Sequence, residues 1–141
     1  MKKINRLSDY HHSLEGGGIT KLKLKYDFMH ELSIVQNILE ITEKEVLKAK
    51  ATKVEQIDLD VGMLSGIEMQ ALLFAWEACV PGTVLAGARR QIRRIPAKAK
   101  CVQCENIFDT QNFFDPCPNC GAWITELVQG KELKIKSLTI S

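Results

Sequence analysis

Val54-Glu-Gln-Ile-Asp-Leu-Asp-Val61 reads as a strand with one buried face, because Ile57, Leu59 and Val61 alternate with Asp58 and Asp60. Gly62 begins the turn that follows. Ser65-Gly66-Ile67-Glu68 then has the S-x-x-E form of a capping box. A helix is predicted after it, with Met69, Leu72, Leu73, Trp76 and Val80 on its apolar side and Pro81-Gly82 as its stop. Upstream, Leu32, Val35, Ile38, Leu39 and Val46 recur at helical spacing and predict a helix over about residues 31–50. Glu31 in its first turn and Lys48, Lys50 and Lys53 near its end suit the helix dipole.

Downstream, residues 89–99 read as a strand with Ile92 and Ile95 inward. Residues 123–128 and 132–140 again look extended, and Leu133, Ile135, Leu138 and Ile140 need a core to cover them. The simplest arrangement returns the last strand beside strand 89–99. The fold class is therefore α+β: a small sheet of about three strands packed with two helices, interrupted by an inserted module.

That module contains two knuckles, Cys101-Val-Gln-Cys104 and Cys117-Pro-Asn-Cys120, with twelve residues between them. Two residues between thiols let one turn offer both sulfurs to one metal, and two such turns make a closed tetrahedral S₄ site of zinc-ribbon type. Pro116 and Pro118 stiffen the second knuckle. Gly121 follows it where a positive φ is often needed, and Asn106 is the residue after the first knuckle that best tolerates that region. Zinc is the expected ion. Iron in a rubredoxin-like site and a pair of disulfides are the alternatives. Cys79, among Trp76, Ala78 and Val80, reads as a small buried hydrophobe.

Hydrophobic residues make up 45% and charged residues 26% of the 141, the composition of an ordinary globular chain. No apolar run approaches the ~20 residues of a membrane span, and the basic start lacks the long apolar stretch of a secretory signal. A reducing cytoplasm is the expected setting. Residues 1–28 hold six Lys/Arg against three Asp/Glu, whereas residues 29–141 hold 13 against 14. The near-neutral remainder creates no strong field for nucleic acid. Arg89, Arg90, Arg93, Arg94, Lys98 and Lys100 form a local basic run, read first as the charged face of an edge strand. A zinc-ribbon nucleic-acid-binding module using this run is the alternative function. An enzyme is not expected, since the chain has no nucleophile–histidine pair at motif spacing, no phosphate loop and no zinc set with an open position.

Residues 1–28 look like an extension, with His11-His12, a Gly16-Gly17-Gly18 run, and Leu22, Leu24 and Tyr26 alternating with lysines. The expected division is 1–28 extension, 29–99 plus 122–141 as an α/β core, and 100–121 as the metal module. His30 is the one histidine outside the extension, just before the first helix with Glu31 beside it.

Met29-His-Glu-Leu-Ser33, Val61-Gly-Met-Leu-Ser-Gly-Ile-Glu68 and the two cysteine pairs stand in one order and spacing. Together they resemble the hydrogenase nickel-incorporation proteins of the HypA/HybF family, over residues 29–141. The resemblance implies a nickel metallochaperone that delivers Ni(II) during maturation of [NiFe]-hydrogenase. It implies a nickel-binding maturation GTPase and the hydrogenase large subunit as partners. It places nickel at His30 and the main chain of Met29, with Glu31 and Glu68 as acidic neighbours, and structural zinc at Cys101, Cys104, Cys117 and Cys120. Ni(II) takes nitrogen-rich square-planar or tetragonal sites, which an amine, amides and one imidazole provide. In the family Met-His-Glu opens the protein; here it lies 28 residues in. The expectation is that Met29 is the native start. The alternative keeps the extension and draws nickel onto internal amides, His30, Glu31 and His11 or His12. The linkers around the module leave room for strand exchange between chains, and so for a homodimer.

Overall fold

The computed structural model of the chain describes residues 1–7 and 27–141. The elements are β1 (Lys2–Leu7), α1 (Asp27–Lys48), β2 (Val54–Gly62), α2 (Met69–Cys79), β3 (Arg89–Ile95), β4 (Lys98–Cys101), β5 (Ile107–Asp109), β6 (Thr125–Gln129) and β7 (Leu133–Ile140). His11-His12 and the alternation over Leu22–Tyr26 lie outside the described residues.

Two sheets form, one in the order β1-β7-β2-β3 and one in the order β5-β4-β6. In the first, β2 pairs parallel with β3 and antiparallel with β7, and β1 pairs antiparallel with the far side of β7. The apolar side of β2 is realised as read: Ile57, Leu59 and Val61 are buried in one cluster with Ile34, Val35 and Ile38 of α1, Leu72 and Trp76 of α2, and Ile135 and Leu138 of β7, whereas on the other side Asp60 is buried too, covered by Arg93 of β3. Burial of such side chains, at roughly 1.5–3 kcal/mol each, is the main force holding helices to sheet.

The strand order corrects one expectation. The last strand does not lie beside residues 89–99; it takes the opposite side of β2. The crossover through α2 returns the chain parallel to β2, making β3 an edge strand rich in arginine, while the more apolar β7 is drawn into the interior. Residues 89–99 also divide, since β3 ends at Ile95 and β4 begins at Lys98 in the other sheet.

Two boundaries have local causes. Helix α1 ends where Lys50 takes φ 54°, with Ala51 N–H reaching back to the Val46 carbonyl at 3.0 Å, the closure of a Schellman turn. The expected Ser65–Glu68 capping box does not form. Glu68 is itself the N-cap of α2, accepting from Gln70 N at 3.2 Å and Ala71 N at 2.7 Å, while the Ser65 hydroxyl accepts from Ile67 N at 3.3 Å. The longer carboxylate reaches the free amides of the first turn directly, which leaves the serine to stabilise the preceding loop.

Where the sheets meet, three backbone segments touch. Gly62 N donates to Glu132 O at 2.6 Å, Leu64 N to Gly130 O at 2.7 Å, and Met63 N to Ile95 O at 2.9 Å. A Cβ on Gly62 would stand 2.1 Å from the Gly130 carbonyl oxygen, so no larger residue fits without moving main chain. Beside this junction lies a cleft of about 740 Å³ between the loop after β2 (Met63, Leu64) and the module (Asp109, Thr110, Asp115).

Candidate metal sites

The knuckles are built alike. Glu105 N donates to Cys101 O at 3.0 Å, and Gly121 N to Cys117 O at 2.8 Å. Cys101 N donates to Asn106 O at 2.9 Å, and Cys117 N to Ala122 O at 2.8 Å. The residue after each pair takes the left-handed region, Gly121 at φ 77° as expected and Glu105 at φ 63°. Asn106 was the better-suited candidate by residue type, but the turn's hydrogen bonds fix the position directly after Cys104, so Glu105 adopts it. Cys101 and Cys117 are buried, Cys104 half-buried and Cys120 exposed.

These turns bring the four sulfurs within 4.8 Å of one another. Cys101 Sγ lies 3.5 Å from Cys120 Sγ, and Cys104 Sγ 3.6 Å from Cys117 Sγ. Zinc–sulfur bonds of about 2.3 Å in a tetrahedron place sulfurs roughly 3.8 Å apart, so the set fits one zinc ion. A disulfide, at about 2.05 Å, requires much closer sulfurs. Close packing sets the thiols apart in their titration. Burial opposes the Cys117 thiolate, but N–H groups of Cys120 and Asn119 outweigh it and bring this thiol down to about 6. The Ala122 N–H favours the Cys120 thiolate, yet neighbouring sulfurs, Cys101 foremost, push this thiol up to about 12. A divalent ion at the centre removes that conflict, because it lets all four ionise.

Helix α1 begins at Asp27, four residues earlier than expected, so His30 and Glu31 are its fourth and fifth residues and His30 does not precede it; the two touch each other, Nδ1 to Oε1 at 3.1 Å. Both are buried, at 8% and 1% exposure. The second carboxylate oxygen of Glu31 has no hydrogen-bond partner among the described residues. Met29 lies one residue earlier in the same turn and enters here through its main chain. Glu68 is exposed, with both carboxylate oxygens engaged at the start of α2. Among the described residues, the cysteines are the one group of three or more such side chains close enough to share an ion. His30, Glu31 and Glu68 are not gathered in that way. Sequence reasoning took Asn106 only as a turn residue and gave Asn119 no role, yet the side-chain amides of both point at sulfurs of the set. Their nearness to the ligands in sequence was the available signal.

The basic run is dispersed. Arg93 makes two 3.0 Å bonds to Asp60, Arg90 lies 5.5 Å over the Trp76 ring, and Arg89 donates to Gln56 at 3.2 Å. Lys98 sits in the other sheet, 3.9 Å from Asp109.

Fold and thiolates together define a class: a small α+β metal-binding protein with a zinc-ribbon-like module set between two strands of the core. The family model described as "Hydrogenase/urease nickel incorporation, metallochaperone, hypA" matches residues 29–140, and the chain belongs to that family. It is 42% identical over 112 residues to the hydrogenase maturation factor HypA of Geobacter sulfurreducens, covering 79% of this chain and 99% of the relative. It is 40% identical to that of Parabacteroides distasonis, covering 79% and 97%. The fold is similar to the solution structure of the Ni metallochaperone HypA from Helicobacter pylori, with a TM-score of 0.58 and 22% identity over 78% of this chain and 96% of that one. A second solution structure of a HypA protein aligns with a TM-score of 0.62 and 23% identity over 80% and 97%.

Proposed function

We propose that this protein is a nickel metallochaperone: it takes up Ni(II) at Met29-His30-Glu31 and delivers it to [NiFe]-hydrogenase during maturation. Family membership over residues 29–140 is the observation that carries this reading. The local geometry supports it. The main-chain N–H of Met29, third residue of α1, has no intrahelical acceptor in this first turn. A chelate that includes the His30 main-chain nitrogen closes through Nδ1 of the same residue, so Glu31, whose Oε1 lies 3.1 Å from that atom, must release it as nickel enters. Because both side chains are buried, loading requires that turn to open, and release closes it again. Glu68, the last residue of the stretch 61–68, adds negative charge at the start of α2 while it caps the helix.

Cys101, Cys104, Cys117 and Cys120 hold structural zinc, which fixes the shape of residues 100–121 and takes no part in delivery. The nickel-binding core is drawn from residues 29–99 and 122–141 less β4 and β6, which pair with β5 in the module's sheet. The protein performs no catalytic turnover. It works in the cytoplasm with a nickel-binding maturation GTPase and the hydrogenase large subunit. The basic run offers no continuous surface to nucleic acid, because Arg89, Arg90, Arg93 and Lys98 are engaged and the run is split between two sheets.

The test is nickel titration of zinc-loaded His30→Ala. The expected result is loss of nickel binding with one zinc per chain and an unchanged circular dichroism spectrum. Nickel bound by the variant as by the native protein rejects the site. Since the ligands must shed protons to bind, nickel affinity is expected to weaken as pH falls.

A further inference from the structure

The sulfurs receive two kinds of N–H. Main-chain donors belong to the knuckles themselves: Cys104 N to Cys101 Sγ at 3.5 Å and Asn119 N to Cys117 Sγ at 3.4 Å. Two side-chain amides add a different connection. Asn119 Nδ2, inside the second knuckle, donates to Cys104 Sγ of the first at 3.6 Å. Asn106 Nδ2, just after the first knuckle, donates to Cys117 Sγ of the second at 3.9 Å. Each carboxamide thus crosses from one knuckle to a sulfur of the other.

We propose that Asn106 and Asn119 are positioning residues, a crossed pair of clasps that holds the two knuckles on one ion and slows its loss. The proposal rests on the zinc reading of the four thiolates. Four thiolates around Zn²⁺ carry a net charge of about −2, and a donor to sulfur disperses part of it. A less basic thiolate is protonated and displaced less readily. The crossing adds a mechanical effect: for one knuckle to swing away from the ion, it must also break an amide–sulfur bond to the other. Groups that hold ligands in this way typically change metal affinity by about 10–100-fold when removed. A carrier that handles nickel needs its structural ion to stay in place while the cargo moves, and a kinetically closed thiolate site provides that separation.

The experiment measures zinc release from the full chain to an excess of the chromophoric chelator 4-(2-pyridylazo)resorcinol. Zinc content is determined first. Asn119→Ala and Asn106→Ala are each expected to speed release about tenfold, and the double variant more, at one zinc per chain. Asn119→Asp keeps the side chain's shape, removes the donor and adds like charge; it is expected to release at least as fast as Asn119→Ala. Asn119 is exposed, so its variants fold even if Asn106→Ala does not. In cobalt-substituted protein, the sulfur-to-metal charge-transfer band is expected to move to lower energy when the amides are removed, a change that a purely structural role would not produce. Native release rates and an unmoved band in the double variant, with one zinc bound, overturn the proposal and leave the zinc reading intact. Native protein isolated without zinc overturns the zinc reading, and the clasp with it.

Discussion

At position 58 a half-buried aspartate is held ionised by its neighbours. Burial works against the charge, but the Ser137 hydroxyl at 2.6 Å and the Gln56 amide at 2.9 Å, with Lys3 and Lys136 nearby, outweigh it and keep the carboxyl below its ordinary 3.8. A depressed folded-state pKa contributes stability that is complete above the unfolded value and disappears as pH falls through the folded one. Asp58→Asn should therefore flatten the acid side of the Tm-against-pH curve below pH about 4, relative to native protein in the same buffers. Ser137→Ala should shrink the same limb and cost about 1–2 kcal/mol at neutral pH, because the carboxylate loses a donor. Parallel acid limbs for native protein and Asp58→Asn would refute the assignment. Glu68 permits a second separation of roles. Glu68→Ser keeps an N-cap acceptor and removes the carboxylate, whereas Glu68→Ala removes both. If the carboxylate assists nickel, both variants weaken nickel binding, while Glu68→Ala alone should lose about 1 kcal/mol in thermal or denaturant unfolding. Equal nickel affinity in Glu68→Ser and native protein would confine the residue to capping.

The elements divide by how much of their placement is local. β2 was legible because its alternation has only one solution, and both helices because their apolar positions recur over several turns. Ile34, fully buried on α1, was not singled out, although it lies one helical turn before Ile38 on the same face. β5 has three residues, Ile107–Asp109, too few for any period to show. Which strand β7 joins is not written in β7 itself. Its apolar pattern suits either neighbour, and the choice follows from the crossover that sends β3 parallel to β2. The cysteine spacing specified the thiolate set outright, yet the crossing amides were not evident, because a side-chain donor is indistinguishable in sequence from a turn asparagine. The proposed nickel position rests only on the family resemblance, for one histidine beside one glutamate carries little chemistry alone. At the junction of the two sheets the prediction is steric. Gly62→Ala puts a methyl 2.1 Å from a main-chain oxygen, with Gly130 C at 2.3 Å and Glu132 N at 2.8 Å. No side chain can yield there, so the variant should lose about 2–3 kcal/mol or more in denaturant unfolding. A stability within 0.5 kcal/mol of native would show that the segments separate readily.

For the whole molecule, the question is what residues 1–28 do to a domain that its relatives make without a counterpart. The family match begins at residue 29, and the relatives align over nearly their full length without the extension. In this chain, Lys2–Leu7 nevertheless adds a strand to the family sheet, with Ile4 packed on the core and the outer side of β7 paired from Ile140 to Ile135. Two effects of removing the extension oppose each other. Stability should fall modestly, because one short edge strand and a half-buried isoleucine are lost; ~1–2 kcal/mol is the scale of that burial. The exposed edge of β7 should also make the shorter chain more prone to associate, an effect visible in sedimentation at rising concentration. Nickel affinity should change the other way. A chain beginning at Met29 gains a free terminal amine next to His30 and loses the preceding residues of the α1 first turn, so the nitrogen donors can wrap the ion with less unwinding of helix. Residues 29–141 are therefore expected to bind one Ni(II) more tightly than the full chain, with zinc content unchanged, when both are titrated in one buffer. Tighter binding by the full chain would mean that the extension supplies ligands, with His11 and His12 the first to replace by alanine.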